Sequence, residues 1–117
     1  MRTVDQLREA RCRPLSSGAM PDAEVAEQLG VLPGWSEQGG AVARTFRFPG
    51  YHETIAFVNA VACVAITEDH HPDLAVGYDR CEVRFSTHSV GGISINDFIC
   101  AAKVDALYPQ RVTASGA

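Results

Sequence analysis

The stretch YHETIAFVNAVACVAITEDHHP, residues 51–72, sets the centre of any fold this chain can adopt. Ile55, Val58, Val61, Ala62 and Ala65 recur at three- and four-residue steps, the period of a helix with one apolar face. Gly50 opens this helix, and Pro72 ends it because proline disfavours helical backbone at His71. Such a face must be covered, and the flanking segments supply the cover. Before it, Trp35-Ser36-Glu37, a Gly39-Gly40 turn and ARTFRFP read as a β-hairpin, with Ala43, Thr45 and an aromatic pair in its second strand. After it, LAVGY is a strand with Leu74, Val76 and Tyr78 on one side, and Asp79-Arg80 makes a turn. CEVRFSTH then alternates: Cys81, Val83, Phe85 and Thr87 share one face, and Glu82, Arg84, Ser86 and His88 the other. A short helix capped by Asp22 precedes the first hairpin, with Val25, Ala26 and Leu29 as its stripe and Gly30 as its stop. Ser94 begins a last helix carrying Ile95, Phe98, Ile99, Ala102 and Leu107 toward the core.

The order α-β-β-α-β-β-α predicts the α+β class. Hairpin-linked strands give an antiparallel sheet, and the amphipathic helices cover one of its faces. At 117 residues there is room for one core. Residues 1–20 end in CRPLSSGAMP and read as a flexible tail, 21–108 as the folded domain, and 109–117 as a second tail.

A net charge of −4 with no Lys/Arg cluster excludes general nucleic-acid binding, which needs a basic face to displace counterions. MRTVDQLREARCR has no apolar core and is not a secretory signal, and residues 55–66, interrupted by Asn59, are too short to span a bilayer. None of Cys12, Cys63, Cys81 and Cys100 forms a C-x-x-C pair, so they read as small buried hydrophobes plus one tail thiol. No membrane association and a cytoplasmic location are the expectations.

Three of the four histidines fall within TEDHHPDLAVGYDRCEVRFSTHS. Adjacent residues diverge by about 100° on a helix and about 180° on a strand, so His70 and His71 cannot share a site from a regular element. The irregular corner before Pro72 can turn both imidazoles into one cleft, and His88 lies at a strand end before a glycine loop. Three readings compete. The histidines are solvated polar residues at element ends, or a zinc set, or proton-exchanging groups. Adjacent ligands strain one ion, since helical zinc ligands usually stand at i and i+4. Imidazole's ordinary pKa near 6.5 suits both donation and acceptance near neutrality. No G-x-S-x-G elbow and no phosphate loop is present. Ser94-Ile-Asn-Asp97 matches a capping box, and Asp97 can serve that purpose and a role beside His88 together.

With these residues located, the chain resembles the pterin-4a-carbinolamine dehydratase (4a-hydroxytetrahydrobiopterin dehydratase) family. RTFRFPGY, AFVNAVA and DHHPDLAVGYDRCEVRFSTHSVGGISINDFICAAKVDAL carry the resemblance over residues 32–107, and residues 22–30 match more loosely. HHP, a tyrosine six residues on, Thr-His at the end of the next strand and G-G-x-[ST]-x-x-D form a specific combination. The resemblance implies a four-stranded antiparallel sheet with three helices on one face, assembled as homodimers or homotetramers. It implies His70, His71 and His88 as catalytic residues, with Pro72, Tyr78, Thr87, Ser89 and Asp97 binding substrate or supporting the site. No metal and no cofactor are implied. The substrate is a pterin, in functional linkage with an aromatic amino acid hydroxylase. Related proteins with eroded sites assemble Rubisco, and animal members act as transcriptional coactivators; the three retained histidines favour the enzyme here. Two positions depart from the family pattern. Ile66 stands where a polar residue is usual, four before the first histidine, and Leu74 replaces a common aromatic. One helical turn from His70, Ile66 offers that imidazole only desolvation, which predicts a neutral ring at pH 7.

Overall fold

The structure, a computed structural model, describes residues 1–16 and 18–109. The tail expected over 109–117 therefore lies outside the described residues, Pro109 excepted. Helices α1 (Val4–Glu9) and α2 (Asp22–Leu29) lead into strands β1 (Ser36–Gln38) and β2 (Ala41–Arg47). Helix α3 (Tyr51–Glu68), strands β3 (Asp73–Val76) and β4 (Arg80–Phe85), a 3-10 turn (His88–Val90) and helix α4 (Ile95–Asp105) follow. The four strands form one antiparallel sheet in the order β1-β2-β4-β3.

Register explains the core. Val42 lies opposite Phe85, and Phe46 opposite Cys81, so the alternating apolar sets of β2 and β4 meet on one face. Val42, Phe46, Cys81, Val83 and Phe85 are all sealed from solvent there, together with Val61 of α3 and Phe98 and Ile99 of α4. Each fully buried Phe or Val contributes about 1.5–3 kcal/mol. Arg44 also points to this side, but its charge is matched: it meets Asp105 at 2.7 Å and lies 4.4 Å above the Phe46 ring. The Trp35 indole N–H donates to the same carboxylate at 2.9 Å.

The expected α+β architecture is present, with three differences in detail. Residues 1–20 are not a loose tail. Thr3 and Gln6 close a capping box on α1, Leu7 is fully buried, and α1 packs against α4. Six residues with only Val4 and Leu7 as apolar markers give too short a period to read. Second, the buried stripe of α3 is Thr54, Phe57, Val61, Ala65 and Glu68, rotated from the expected one: Ile55 and Val58 are half-buried, and Ala62 and Cys63 exposed. A helix apolar almost all round leaves its phase undetermined by period alone. Polar partners fix it, since the Thr54 hydroxyl donates to the Gly50 and Tyr78 carbonyls at 2.8 and 3.0 Å. Third, Pro21 rather than Asp22 occupies the N-cap position of α2, with no side-chain hydrogen bond capping the helix, and Leu107, beyond the end of α4, is exposed.

Candidate active site

The site begins where α3 stops. Asp69 adopts φ 51°, the only positive φ outside glycine among the described residues, and the His70 N–H donates to the Ala65 carbonyl at 3.1 Å. This left-handed cap turns the chain off the helix axis before Pro72 is reached. Extended backbone then enters β3, whose first residue pairs Arg84 near the end of β4. Antiparallel pairing thus brings His70 and His71, entering β3, to the same end of the sheet as Thr87 and His88, leaving β4.

His70 Nε2 lies 2.5 Å from Asp97 Oδ1. The Asp97 side chain is fully buried and that of His70 is 12% exposed. A carboxylate oxygen only accepts, so this pair requires the ring proton on Nε2 and leaves Nδ1 as the second functional atom. The ring stacks on Phe85, with centroids 6.0 Å apart and planes inclined by 9°. Asp97 Oδ2 accepts from the Thr87 hydroxyl and from the Ser94 N–H, both at 2.9 Å, and Thr87 and Ser94 meet at 2.6 Å. One carboxylate therefore caps α4 with one oxygen and holds an imidazole with the other. The positive end of the helix dipole favours its charge.

The remaining sequence-derived residues divide. His71 and His88 are exposed, the latter on the 3-10 turn, and Ser89 follows it. Pro72, half-buried, sets the extended entry to β3. Tyr78 is not brought to this site: it sits 68% exposed at the far, turn end of the β3–β4 hairpin, stacked on Tyr51 at 6.3 Å. The five steps of extended chain from Asp73, at the start of β3, to Tyr78 span about 16 Å.

Ile66 also departs from expectation. Its side chain is 73% exposed. The one-turn relation to His70 fails because the helix ends at Glu68 and Asp69 reverses the backbone. The partner of His70 is Asp97, twenty-seven positions on. Ile66→Glu is accordingly expected to move the pH–rate profile by less than about half a unit, as for an exposed charge. Titrating activity of both proteins from pH 5 to 9 checks this, and a full-unit shift would restore Ile66 to the site.

A cavity of about 220 Å³ opens beside the pair, lined by Asp69, His70, Thr87, Ser89 and Asn96 on one side and by residues 12–15 on the other. A larger groove of about 300 Å³, next to Tyr108, has no histidine on its walls. Among the described residues no three His, Cys, Asp or Glu side chains are gathered in a metal-ligating arrangement.

Two buried polar residues escaped sequence reasoning. Glu68 accepts from the Cys12 N–H at 2.8 Å and from Arg11 Nε at 3.0 Å, with Lys103 at 3.4 Å. Burial acts to raise its pKa, but the Cys12 N–H and then the Lys103 and Arg11 charges outweigh it, and the carboxyl is held below its usual 4.5. A depressed folded pKa means that this anchorage is present above pH 4.5 and lost as pH falls through the lower folded value. Loss of hydrogen-exchange protection at the Cys12 amide on acidification through that lower value is the expected sign; protection that stays unchanged down to the onset of acid unfolding would contradict it. Asn96 accepts from the Arg13 N–H at 3.2 Å and donates to its carbonyl at 2.7 Å. The available signal for Glu68 was its place on the buried phase of α3. The cysteines also deviate from expectation: Cys63 is exposed, and Cys12 is half-buried with its sulfur 3.5 Å from that of Cys100.

Residues 18–107 match the model of the family described as Pterin 4 alpha carbinolamine dehydratase. A protein of Xanthomonas campestris pv. campestris named "Putative pterin-4-alpha-carbinolamine dehydratase" is 55% identical over 112 residues, covering 92% of this chain and 95% of its own. One of the same name from Stenotrophomonas maltophilia is 58% identical over 108 residues, covering 89% and 93%. Among solved structures, a transcriptional coactivator/pterin dehydratase from Brucella melitensis superposes with a TM-score of 0.75 at 30% identity, over 79% of this chain and 100% of that one. A pterin dehydratase-like protein identified as a RuBisCO assembly factor in the alpha-carboxysome gives 0.54 at 29% identity, over 62% and 87%. With the family pattern running through both hairpins and across the His70–Asp97 corner, this chain belongs to the pterin 4 alpha carbinolamine dehydratase family.

Proposed function

We propose that the protein is a dehydratase converting 4a-hydroxytetrahydrobiopterin to quinonoid dihydropterin and water. The observation that carries this reading is the His70–Asp97 pair, an imidazole held by a buried carboxylate at the mouth of a cavity. The reaction is redox-neutral. One group protonates the 4a-hydroxyl, which leaves as water, and another accepts the proton from the ring nitrogen as the C=N bond forms. Each well-placed proton transfer contributes about 10²–10⁴ in rate. His70, oriented and fixed in one tautomer by Asp97, is suited to hold or accept a proton at Nδ1. His71 and His88, at the same end of the sheet, complete the acid–base set, with Thr87 and Ser89 beside the substrate. This chemistry asks for no metal and no redox cofactor.

The same reading proposes a cytoplasmic homodimer or homotetramer that serves an aromatic amino acid hydroxylase by recycling its pterin. Among the described residues, no helix is long and apolar enough to cross a membrane. A second reading, a non-catalytic assembly factor or coactivator, draws support from the likeness to the carboxysomal protein. Stopped-flow measurement of 4a-carbinolamine dehydration by the purified protein, with and without EDTA, separates the two. Catalysed dehydration indifferent to chelator is the expected outcome. An inert protein from pH 5 to 9 would end the enzyme reading, and loss of rate with EDTA would end the metal-free mechanism.

A further inference from the structure

We propose that residues 11–15 are part of the substrate site, with Arg13 and Leu15 touching the pterin and Glu68 and Asn96 acting as positioning residues. The inference rests on the dehydratase reading and extends it to a segment that precedes the residues matched by the family model, which begin at residue 18.

Three observations carry it. First, Cys12, Arg13, Pro14 and Leu15 form one wall of the cavity whose other wall holds His70, Thr87 and Ser89. Second, the segment is fastened at that place by two of the few buried polar side chains of the molecule. Glu68 takes the Cys12 N–H and the Arg11 guanidinium, and Asn96 pairs with both backbone groups of Arg13. Third, these anchors adjoin the proposed chemistry in sequence, Glu68 two before His70 and Asn96 immediately before Asp97. A buried carboxylate and a buried amide are costly to desolvate unless fully paired, and here the pairing is spent on holding a strap. With its backbone fixed, the strap lines the cleft with Arg13 and Leu15. A guanidinium donates and never accepts, and among the described residues Arg13 has no ion-pair partner. A pterin supplies what such a wall recognises: carbonyl oxygen and ring-nitrogen acceptors along an edge, and a flat face for leucine.

The test uses the full-length chain and its Arg13→Ala, Leu15→Ala and Asn96→Ala variants. Binding of 7,8-dihydrobiopterin is followed by calorimetry, alongside kcat and KM for dehydration. Losing a charged hydrogen bond or its positioning is expected to weaken binding about tenfold or more in Arg13→Ala and Asn96→Ala, with KM rising in step and kcat within about threefold. Arg13→Lys is expected to recover only part of this, because an ammonium lacks the planar fork. Arg13 is exposed, so its replacement leaves the fold intact even where Asn96→Ala does not. Wild-type binding with all variants within twofold would overturn the strap as a substrate wall while leaving the dehydratase reading standing. Failure of the wild type to bind the dihydropterin would overturn both.

Discussion

Asp97→Ala is expected to be the most damaging single change in the molecule, costing about 3–5 kcal/mol of stability and lowering turnover about 10³-fold. The side chain is fully buried and takes three donors: the His70 ring N–H, the Thr87 hydroxyl and the Ser94 N–H. Alanine leaves the His70 ring N–H and the Ser94 N–H without an acceptor in a closed space, the Thr87 hydroxyl keeping only Ser94 Oγ at 2.6 Å, and it removes half of the capping box of α4. Asp97→Asn separates the two effects. The amide keeps the shape and one acceptor, so the stability loss should shrink to about 1–2 kcal/mol. Turnover should remain low, because an amide that turns its NH₂ toward His70 demands the opposite ring tautomer. Urea unfolding midpoints and kcat measured on both variants check the pair. Wild-type turnover in Asp97→Asn would show that the carboxylate serves the fold alone.

What was legible in the sequence follows from how local each signal is. The alternation of CEVRFSTH gave the buried face of β4 because strand period is two and needs no partner to interpret. The spacing of Ser94 and Asp97 announced a capping box that the structure contains. The strap, the phase of α3 and the setting of Ile66 depend on contacts between distant segments. Glu68 meets Cys12 across 56 positions, and Asn96 meets Arg13 across 83. No window of sequence holds both members of such a pair. Ile66 shows the hazard of extending one period too far: the i to i+4 relation holds inside a helix, and Asp69 had already left it. Tyr78 shows the converse. It lies within a shared motif, yet strand geometry carries it away from the histidines of its own chain.

His71→Ala and His88→Ala are expected to separate catalysis from stability. Both side chains lie in exposed positions, outside the buried core, so each replacement should change unfolding free energy by no more than about 0.5 kcal/mol. Turnover should fall about 10²-fold or more in each if each moves or steers a proton. The double variant carries further information. If the two act in independent steps, the losses multiply toward about 10⁴; if they serve one proton transfer as a unit, the double variant is hardly worse than either single one. Exogenous imidazole supplies a second check, since a missing proton carrier at an exposed site can be replaced from solution and a missing structural side chain cannot. Rates measured across pH 5 to 9, with and without imidazole, distinguish these cases. Near-wild-type turnover in either variant would remove that histidine from the mechanism. Full turnover in both would leave the His70–Asp97 pair to act alone, and with it only one of the two proton transfers that dehydration requires.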